Sequence, residues 1–185
     1  MYQLPRIRAG GLGSIAVQWA KSLGAKVIGT VGSDAKAELA LRNGCAHAIV
    51  YSRENVVERV RQITGGKGVA VVYDSVGNDT YRISLDCLAP RGLFVSCGNA
   101  SGPIPLMDSR DFASRGSLYF TRPGIFTYVA GRENLERMCA ELFAVVDSGA
   151  VRIDVAQQYM LSDIARAHRD LEARRTTGTT VLIPD

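Results

Sequence analysis

The sequence predicts an α/β protein whose core is a doubly wound parallel sheet, followed by a smaller C-terminal α/β tail. Two observations support this prediction: apolar β-branched runs alternate with longer amphipathic segments, and glycine or proline stands at most of the boundaries between them. Strands and helices in this alternation are typical of a parallel sheet covered on both faces. The 185 residues, 46% hydrophobic and 22% charged, suffice for one domain plus a remainder and exclude intrinsic disorder.

The first hundred residues alternate regularly between predicted helices and predicted strands. Helices are predicted where amphipathic segments end at glycine or proline, over residues 11–23, 34–43, 54–64 and 80–88, the last closed by Pro90. Strands are predicted over the short apolar runs 26–31, 48–50, 69–73 and 93–97.

Beyond residue 98 the pattern changes. Residues 99–116 contain two prolines and many small residues, which predicts a long loop. The remaining elements are predicted in this order: a strand at 117–121, a helix at 132–148, a short strand at 151–154, a helix at 162–174 and a final strand at 180–183. We therefore divide the chain into a main domain, 1–125, and a tail of helices and strands, 126–185.

The first eight residues do not fit this pattern. A doubly wound domain opens with a buried strand that runs into a glycine turn, whereas this segment contains Pro5, Arg6 and Arg8. Proline removes a donor from a central strand, and buried arginines are costly unless they are paired. We expect either an atypical first strand or a chain that begins at an unusual position.

A glycine cluster, residues 9–13, stands where the first strand would meet the first helix. Gly10 would let a ligand approach the backbone closely, and Gly13 would let the helix pack tightly on the sheet. The helix N-terminus then offers unpaired amides and a positive dipole end to a pyrophosphate. Such a cluster alone is most often only a turn. Followed by this series of strands and helices, it predicts a Rossmann-like dinucleotide-binding domain.

The end of the second strand indicates which dinucleotide is bound. An NAD site usually places Asp or Glu about twenty residues after the glycines, where it binds the ribose 2′-hydroxyl. Here residues 29–33 contain no acid, and Asp34 is expected to cap the next helix. Lys36 is either a ligand for a 2′-phosphate or an ordinary surface lysine. Asp74 and Ser75 are predicted to be a strand-end hydrogen-bonding pair rather than a site.

Several longer segments resemble one known family. Residues 9–21 (AGGLGSIAVQWAK), 24–33 (GAKVIGTVGS) and 71–77 (VVYDSVG) closely resemble the zinc-independent quinone oxidoreductases of the medium-chain dehydrogenase/reductase superfamily. Residues 167–184 match that family's C-terminus, so the resemblance covers 9–185. Arg8 departs from it, because the family usually has a small residue there.

The resemblance implies NADPH as the cofactor, a quinone or another small electrophilic acceptor as the substrate, and no metal. The family's cofactor contacts fall on these positions: Gly10, Gly11, Leu12, Gly13, Gly32, Ser33, Lys36, Tyr51, Cys97, Gly98, Asn99 and Arg174. Lys36, Tyr51 and Arg174 would hold the 2′-phosphate, and Gly98 would lie near the nicotinamide. From the residues alone, Tyr51 can equally be a loop tyrosine and Arg174 a helix cap. No acid–base residue stands out as catalytic.

Family members also carry a GroES-like N-terminal domain, which this chain is expected to lack. We predict an NADPH-dependent oxidoreductase that transfers hydride to a quinone, present as its cofactor-binding portion and weakly active or inactive alone. The alternative is a non-catalytic NADPH-binding or dimerisation fragment. Family members dimerise through the strand that matches 117–121, so a homodimer is expected.

Composition argues against other classes. The net charge is only +4, and Arg174 and Arg175 are the only two basic residues that are adjacent in the sequence. Nucleic acid is therefore not an expected partner. The four cysteines lack metal-like or disulfide-like spacing. No apolar run approaches the roughly 18 residues of a membrane span, and no signal peptide is seen, so we expect no membrane association and a cytoplasmic location.

Overall fold

A six-stranded, all-parallel sheet forms the centre of the computed structural model, which describes residues 2–6, 11–173 and 175–185. The strand order is β3-β2-β1-β4-β5-β6, which is the order of a doubly wound dinucleotide-binding fold, so the predicted fold class is confirmed. The strands are β1 Tyr2–Arg6, β2 Lys26–Val31, β3 His47–Val50, β4 Val69–Asp74, β5 Leu88–Ser96 and β6 Tyr119–Thr121.

The described α-helices are α1 Gly11–Ser22, α2 Asp34–Arg42, α3 Val56–Thr64, α4 Tyr81–Asp86, α5 Ser109–Ser114, α6 Ile125–Tyr128, α7 Arg132–Asp147 and α8 Ile164–Glu172. Of these, α1 and α2 pack on one face of the six-stranded sheet, and α3 and α4 pack on the other. Local chemistry sets several ends: the Asn55 side chain accepts hydrogen bonds from the first-turn amides of α3, and Gly65 ends that helix in the left-handed region, at φ 61°.

The core consists of two apolar clusters, one on each side of the sheet. Val27 and Val31 of β2 pack with α1 and α2 residues on one side, whereas Ile28 joins α3 and α4 residues on the other. Every residue of β2 except Lys26 is buried. This burial on both faces is what the continuous apolar runs in the sequence indicate.

The first eight residues contain a strand, β1, that includes the proline on which the expectation of an atypical first strand was based. The strand lies in the centre of the sheet, and its Leu4 is fully buried. Pairing with β2 ends at Gln3, whereas pairing with β4 continues through Pro5 to Arg6. Pro5 is therefore tolerated in a central strand because it lies beyond the last residue that is paired on both sides.

Other boundaries also differ from prediction. Pro90 lies inside β5 instead of closing a helix, within a break in the β4–β5 register where Val69 pairs with Leu88 and Val71 with Leu93. Arg91 beside it has a positive φ of 59°, as in a bulge. The predicted loop 99–116 contains α5, and α6 was not predicted.

The tail forms a two-stranded parallel sheet, in which α8 joins β7 Val155–Met160 to β8 Thr179–Ile183. The predicted strand at 151–154 is wrong: the strand begins only at residue 155. The Gln18 side chain on α1 exchanges two hydrogen bonds with the backbone of Arg152, at 2.9 and 3.0 Å, which ties the tail to α1. In the described part of the chain, no helix is long and apolar enough to cross a membrane.

Candidate functional site

The carboxyl ends of the six parallel strands meet along one edge of the sheet, and most of the predicted site residues lie in the loops that follow them. Open α/β sheets bind ligands at this edge. β2 and β5 are three places apart in the strand order, which is about 14 Å at roughly 4.8 Å per strand. The predicted residues form two groups, one at each end of that span.

The first turn of α1 begins between these two groups. Gly11 opens the helix, Gly13 is buried, and the side chain of Leu12 is 66% exposed. A Cβ at Gly11 would lie 2.9 Å from the Thr179 hydroxyl, so this glycine makes room for the tail. Gly10 precedes the helix and lies outside the described residues.

Gly32 and Tyr51 are brought into contact where β2 and β3 end. The Tyr51 backbone N–H donates to the Val31 carbonyl oxygen at 3.0 Å. A Cβ at Gly32 would lie 2.7 Å from the Tyr51 hydroxyl oxygen, so a larger residue would displace that hydroxyl. Ser52 donates from its hydroxyl to the Gly32 carbonyl oxygen at 3.3 Å. The two loops therefore form one small unit.

Charges beside this unit are arranged differently from the prediction. Ser33, not Asp34, is the N-cap of α2, and its side chain makes no capping hydrogen bond. Asp34 accepts a 2.6 Å hydrogen bond from the guanidinium of Arg53, which raises the pKa of Arg53. The one acid close to Gly32 in sequence is therefore neutralised. Lys36 lies in the first turn of α2 and adds a positive charge.

The second group, Cys97 to Asn99, follows β5 and is interlocked with the loop after β4. The Cys97 amide donates to the Asp74 carbonyl oxygen at 2.8 Å, and the Ser101 amide donates to the Val76 carbonyl oxygen at 2.8 Å. A Cβ at Gly98 would lie 2.5 Å from the Ser75 carbonyl oxygen. Glycine is required at 98 because two backbones cross there.

Asp74 organises the loop after β4. Its carboxylate is fully buried and accepts hydrogen bonds from the amides of Val76 and Gly77 and from the hydroxyls of Thr80 and Ser84, at 2.6 to 3.0 Å. Asp74 thus has the predicted structural role, with these four donors as its partners, and its predicted pairing with Ser75 stays a prediction. Thr80 and Ser84 were missed because their role depends on tertiary contact.

Cys97 and Arg122 lie at the far end of this edge. Desolvation by the surrounding chain, and then the charge of Asp74, raise the pKa of the Cys97 thiol, whereas Arg122 opposes that rise. The thiol is therefore held in its protonated form. Arg122 follows β6, and its Nη1 donates to the Ser96 hydroxyl at 2.8 Å. Sequence reasoning missed Arg122, because its position beside Ser96 depends on the pairing of β6 with β5.

A groove of about 770 Å³ opens beside Tyr51, between α3 and α4. Its wall combines apolar side chains such as Val76 and Ile83 with acidic ones such as Glu54 and Asp79. Glu54 is held in place because it accepts a 2.7 Å hydrogen bond from the Val50 amide. The groove extends the site from the Gly32 unit toward the loop after β4.

The structure thus brings Gly32, Ser33, Lys36 and Tyr51 to one end of the edge and Cys97, Gly98 and Asn99 to the other. Arg174 lies outside the described residues. The strand order and these loops define a Rossmann-like fold, the class that binds dinucleotides across this edge. No metal-binding group of three or more His, Cys, Asp or Glu side chains occurs within the described ranges.

Comparison with known proteins places the chain more narrowly. A family model described as zinc-binding dehydrogenase matches residues 11–144. The quinone oxidoreductase of Pseudomonas aeruginosa is 52% identical over 176 residues, which are 95% of this chain and 54% of that protein. The 2-haloacrylate reductase of a Burkholderia species is 46% identical over 184 residues, 99% of this chain and 55% of that protein.

Solved structures agree with these sequence matches. The crystal structure of Escherichia coli quinone oxidoreductase complexed with NADPH superposes with a TM-score of 0.94 at 50% identity, covering 99% of this chain and 56% of that one. The chain belongs to the family that this model describes as zinc-binding dehydrogenase. The predicted membership of the medium-chain dehydrogenase/reductase superfamily is confirmed, and the predicted zinc independence stays a prediction. It spans about half the length of the relatives it matches.

Proposed function

We propose that this chain is the NADPH-binding portion of an oxidoreductase that transfers hydride to a quinone. The observation that supports the cofactor assignment most strongly is the end of β2. Among the described residues at this strand end, Asp34 is bound to Arg53 and so is not a free carboxylate, and Tyr51 closes over Gly32 from the neighbouring loop. A 2′-phosphate carries negative charge, so it requires a site without a free carboxylate.

Each part of the edge then has a defined task. The first turn of α1 offers amides and its positive dipole end to the pyrophosphate. We assign the 2′-phosphate to Ser33, Lys36 and Tyr51, because Ser33 and Lys36 lie at the start of α2 and the Tyr51 hydroxyl lies beside Gly32. Arg174 is assigned to the same phosphate by resemblance alone.

The opposite end receives the nicotinamide. Cys97 to Asn99 are fixed by the hydrogen bonds between the loops after β4 and β5, so this wall of the site is preorganised. NADPH supplies the hydride, and the protein supplies orientation and exclusion of water. The raised pKa of Cys97 keeps its thiol neutral beside the ring, where a thiolate would be a competing nucleophile.

The acceptor is assigned from the names of the relatives. Several similar proteins are named quinone oxidoreductases, and another is named for 2-haloacrylate, which is also a conjugated, electrophilic compound. We place residues 1–125 in the cofactor domain and 126–185 in a part that, in this family, returns to the catalytic domain. We also place the protein in the cytoplasm.

Two measurements test the proposal. Calorimetric titration with NADPH and NADH should show tighter binding of NADPH; equal affinities, or no binding, would contradict the cofactor assignment. A quinone-reduction assay separates the two functional readings. We expect slow or undetectable turnover by the 185-residue chain, because it spans about half the length of the relatives it matches and catalysis depends on orienting the acceptor. Restored turnover on adding a catalytic domain of this family favours the enzyme over a non-catalytic fragment.

We further propose that the chain forms a homodimer through β6. This strand is the last in the sheet order, and the side chains of Tyr119 and Phe120 are exposed. An exposed apolar edge pairs readily with a second strand, and a two-fold contact closes after one such pairing. Light scattering tests this directly, because a monomer would rule the pairing out for this chain.

A further inference from the structure

We propose that Arg122 binds the negatively charged oxygen atom of the acceptor and so positions the acceptor for reduction. This inference rests on the proposed function, since it needs an acceptor beside the nicotinamide. Arg122 directly follows β6, and its Nη1 donates to the hydroxyl and the carbonyl oxygen of Ser96, at 2.8 and 3.4 Å. Ser96 immediately precedes the loop assigned to the nicotinamide.

The guanidinium is anchored but not neutralised. Ser96 is 1% exposed, so the group that holds Arg122 is a fixed part of the sheet. Among the described residues no carboxylate lies within ion-pair distance of Arg122, and the Asp74 carboxylate on β4 is bound by donors from its own loop and from α4. A guanidinium has five N–H donors, and the two Ser96 contacts use only its Nη1, so Nε and Nη2 are left for a ligand.

The backbone restricts this arginine as well. Pro123 follows it, and a residue before proline is held in an extended conformation. The β5–β6 pairing runs to Val95 and Thr121, so Arg122 leaves the sheet at the same edge as Cys97. It is exposed at this edge, where an incoming molecule can reach it.

The chemistry of the proposed reaction requires such a group. Hydride addition gives the acceptor one hydrogen nucleus and two electrons, NADPH becomes NADP⁺, and the reduced acceptor carries a negative charge on oxygen until it takes a proton from water. A fixed donor aimed at that oxygen stabilises the charge as it develops. A carboxylate conjugated to the reducible double bond presents the same charge before reduction.

The inference can be tested by binding alone, with one charged ligand and one neutral ligand of the same shape. Cinnamate and its neutral amide, cinnamamide, are titrated into the 185-residue chain saturated with NADP⁺, and binding is followed by saturation-transfer NMR. Arg122→Gln should weaken cinnamate binding by about 10- to 100-fold, the range expected for one charge-assisted hydrogen bond. Binding of cinnamamide should change less than about twofold, and Arg122→Lys should recover part of the loss.

Two controls separate this role from a structural one. Arg91→Gln removes the same charge from the other end of β5 and should leave both affinities unchanged. Ser96→Ala keeps the cation but removes the shorter of its two anchoring hydrogen bonds, so it should give an intermediate loss for cinnamate only. Equal losses for acid and amide, or no detectable cinnamate binding by the unaltered chain, would overturn the inference. NADP⁺ binding is measured first, before cinnamate is added. A chain that does not bind NADP⁺ would overturn the proposed function as well.

Steady-state kinetics of an active form of the protein show whether the charged oxygen belongs to a reduced quinone or to a carboxylate. With a quinone the charge appears only on reduction, so Arg122→Gln should lower kcat and leave KM unchanged. With an unsaturated acid the charge is present from the start, so KM should rise while kcat is kept. Either pattern supports the inference, and unchanged kcat and KM with both acceptors overturn it.

Discussion

Gly32→Ala is the most informative single change at the phosphate end of the site. The added Cβ would lie 2.7 Å from the Tyr51 hydroxyl oxygen and 3.2 Å from its ring carbon Cζ, whereas ordinary contacts begin at 3.4 Å. The hydroxyl must therefore retreat by 3.4 − 2.7, about 0.7 Å. Tyr51 is 49% exposed, so its ring can turn toward solvent, and we expect less than about 1 kcal/mol of lost stability.

The effect on cofactor binding should be much larger. A hydrogen bond to a charged group contributes about 1.5–3 kcal/mol, which corresponds to roughly 10- to 100-fold in affinity. We expect Gly32→Ala to weaken NADPH binding within that range and NADH binding by less than about threefold, because only NADPH carries the 2′-phosphate. Calorimetry measures both affinities, and thermal unfolding monitors the fold.

A double-mutant cycle isolates the cause. Tyr51→Phe deletes the same hydroxyl, and if Gly32→Ala acts by moving it, the second change should add little to the first. Losses that simply add, or equal losses for NADPH and NADH, would refute the reasoning that Gly32 serves to admit Tyr51.

Four further outcomes are expected. Lys36→Ala should weaken NADPH binding by about 10- to 100-fold and spare NADH, as calorimetry with both cofactors checks. Asp74→Asn should lower the free energy of unfolding by about 2–4 kcal/mol in urea titrations, since it disrupts a buried carboxylate with four donors; Asp79→Asn is the exposed control. Burial raises the pKa of Cys45 to about 11, so its contribution to stability is complete below pH 9 and is lost as the pH rises through 11, by roughly 2–3 kcal/mol; Cys45→Ala should lack that slope. Tyr119→Pro should split the β6 dimer in light scattering while NADPH binding persists.

The local sequence pattern predicts the strands that are buried on both faces and the helices whose apolar residues recur at helical spacing. β2 is predicted at its observed bounds because its apolar run is continuous, and the start of α7 is correct because its apolar residues recur at helical spacing. Pro90 misleads because proline ends most segments, and only the break in the β4–β5 register explains its place in a strand.

The site is predictable to the extent that its residues follow strands. Gly32, Tyr51 and Cys97 each lie directly after a strand, so topology brings them to one edge. Arg53 and Arg122 are functional candidates by geometry alone. The first neutralises an acid that sequence reasoning took for a helix cap, and the second depends on the pairing of β6 with β5. Surface arginines carry no periodic signal, so such roles become visible only when the loops are placed.

The first strand shows that the exclusion of proline from central strands applies to single residues and not to whole strands. Proline is excluded only where a residue is paired with a neighbouring strand on both sides. β1 is central as an element, yet pairing with β2 stops at Gln3 and Pro5 has a strand partner only in β4. An edge is thus created within a central strand, close to where the chain must turn toward α1.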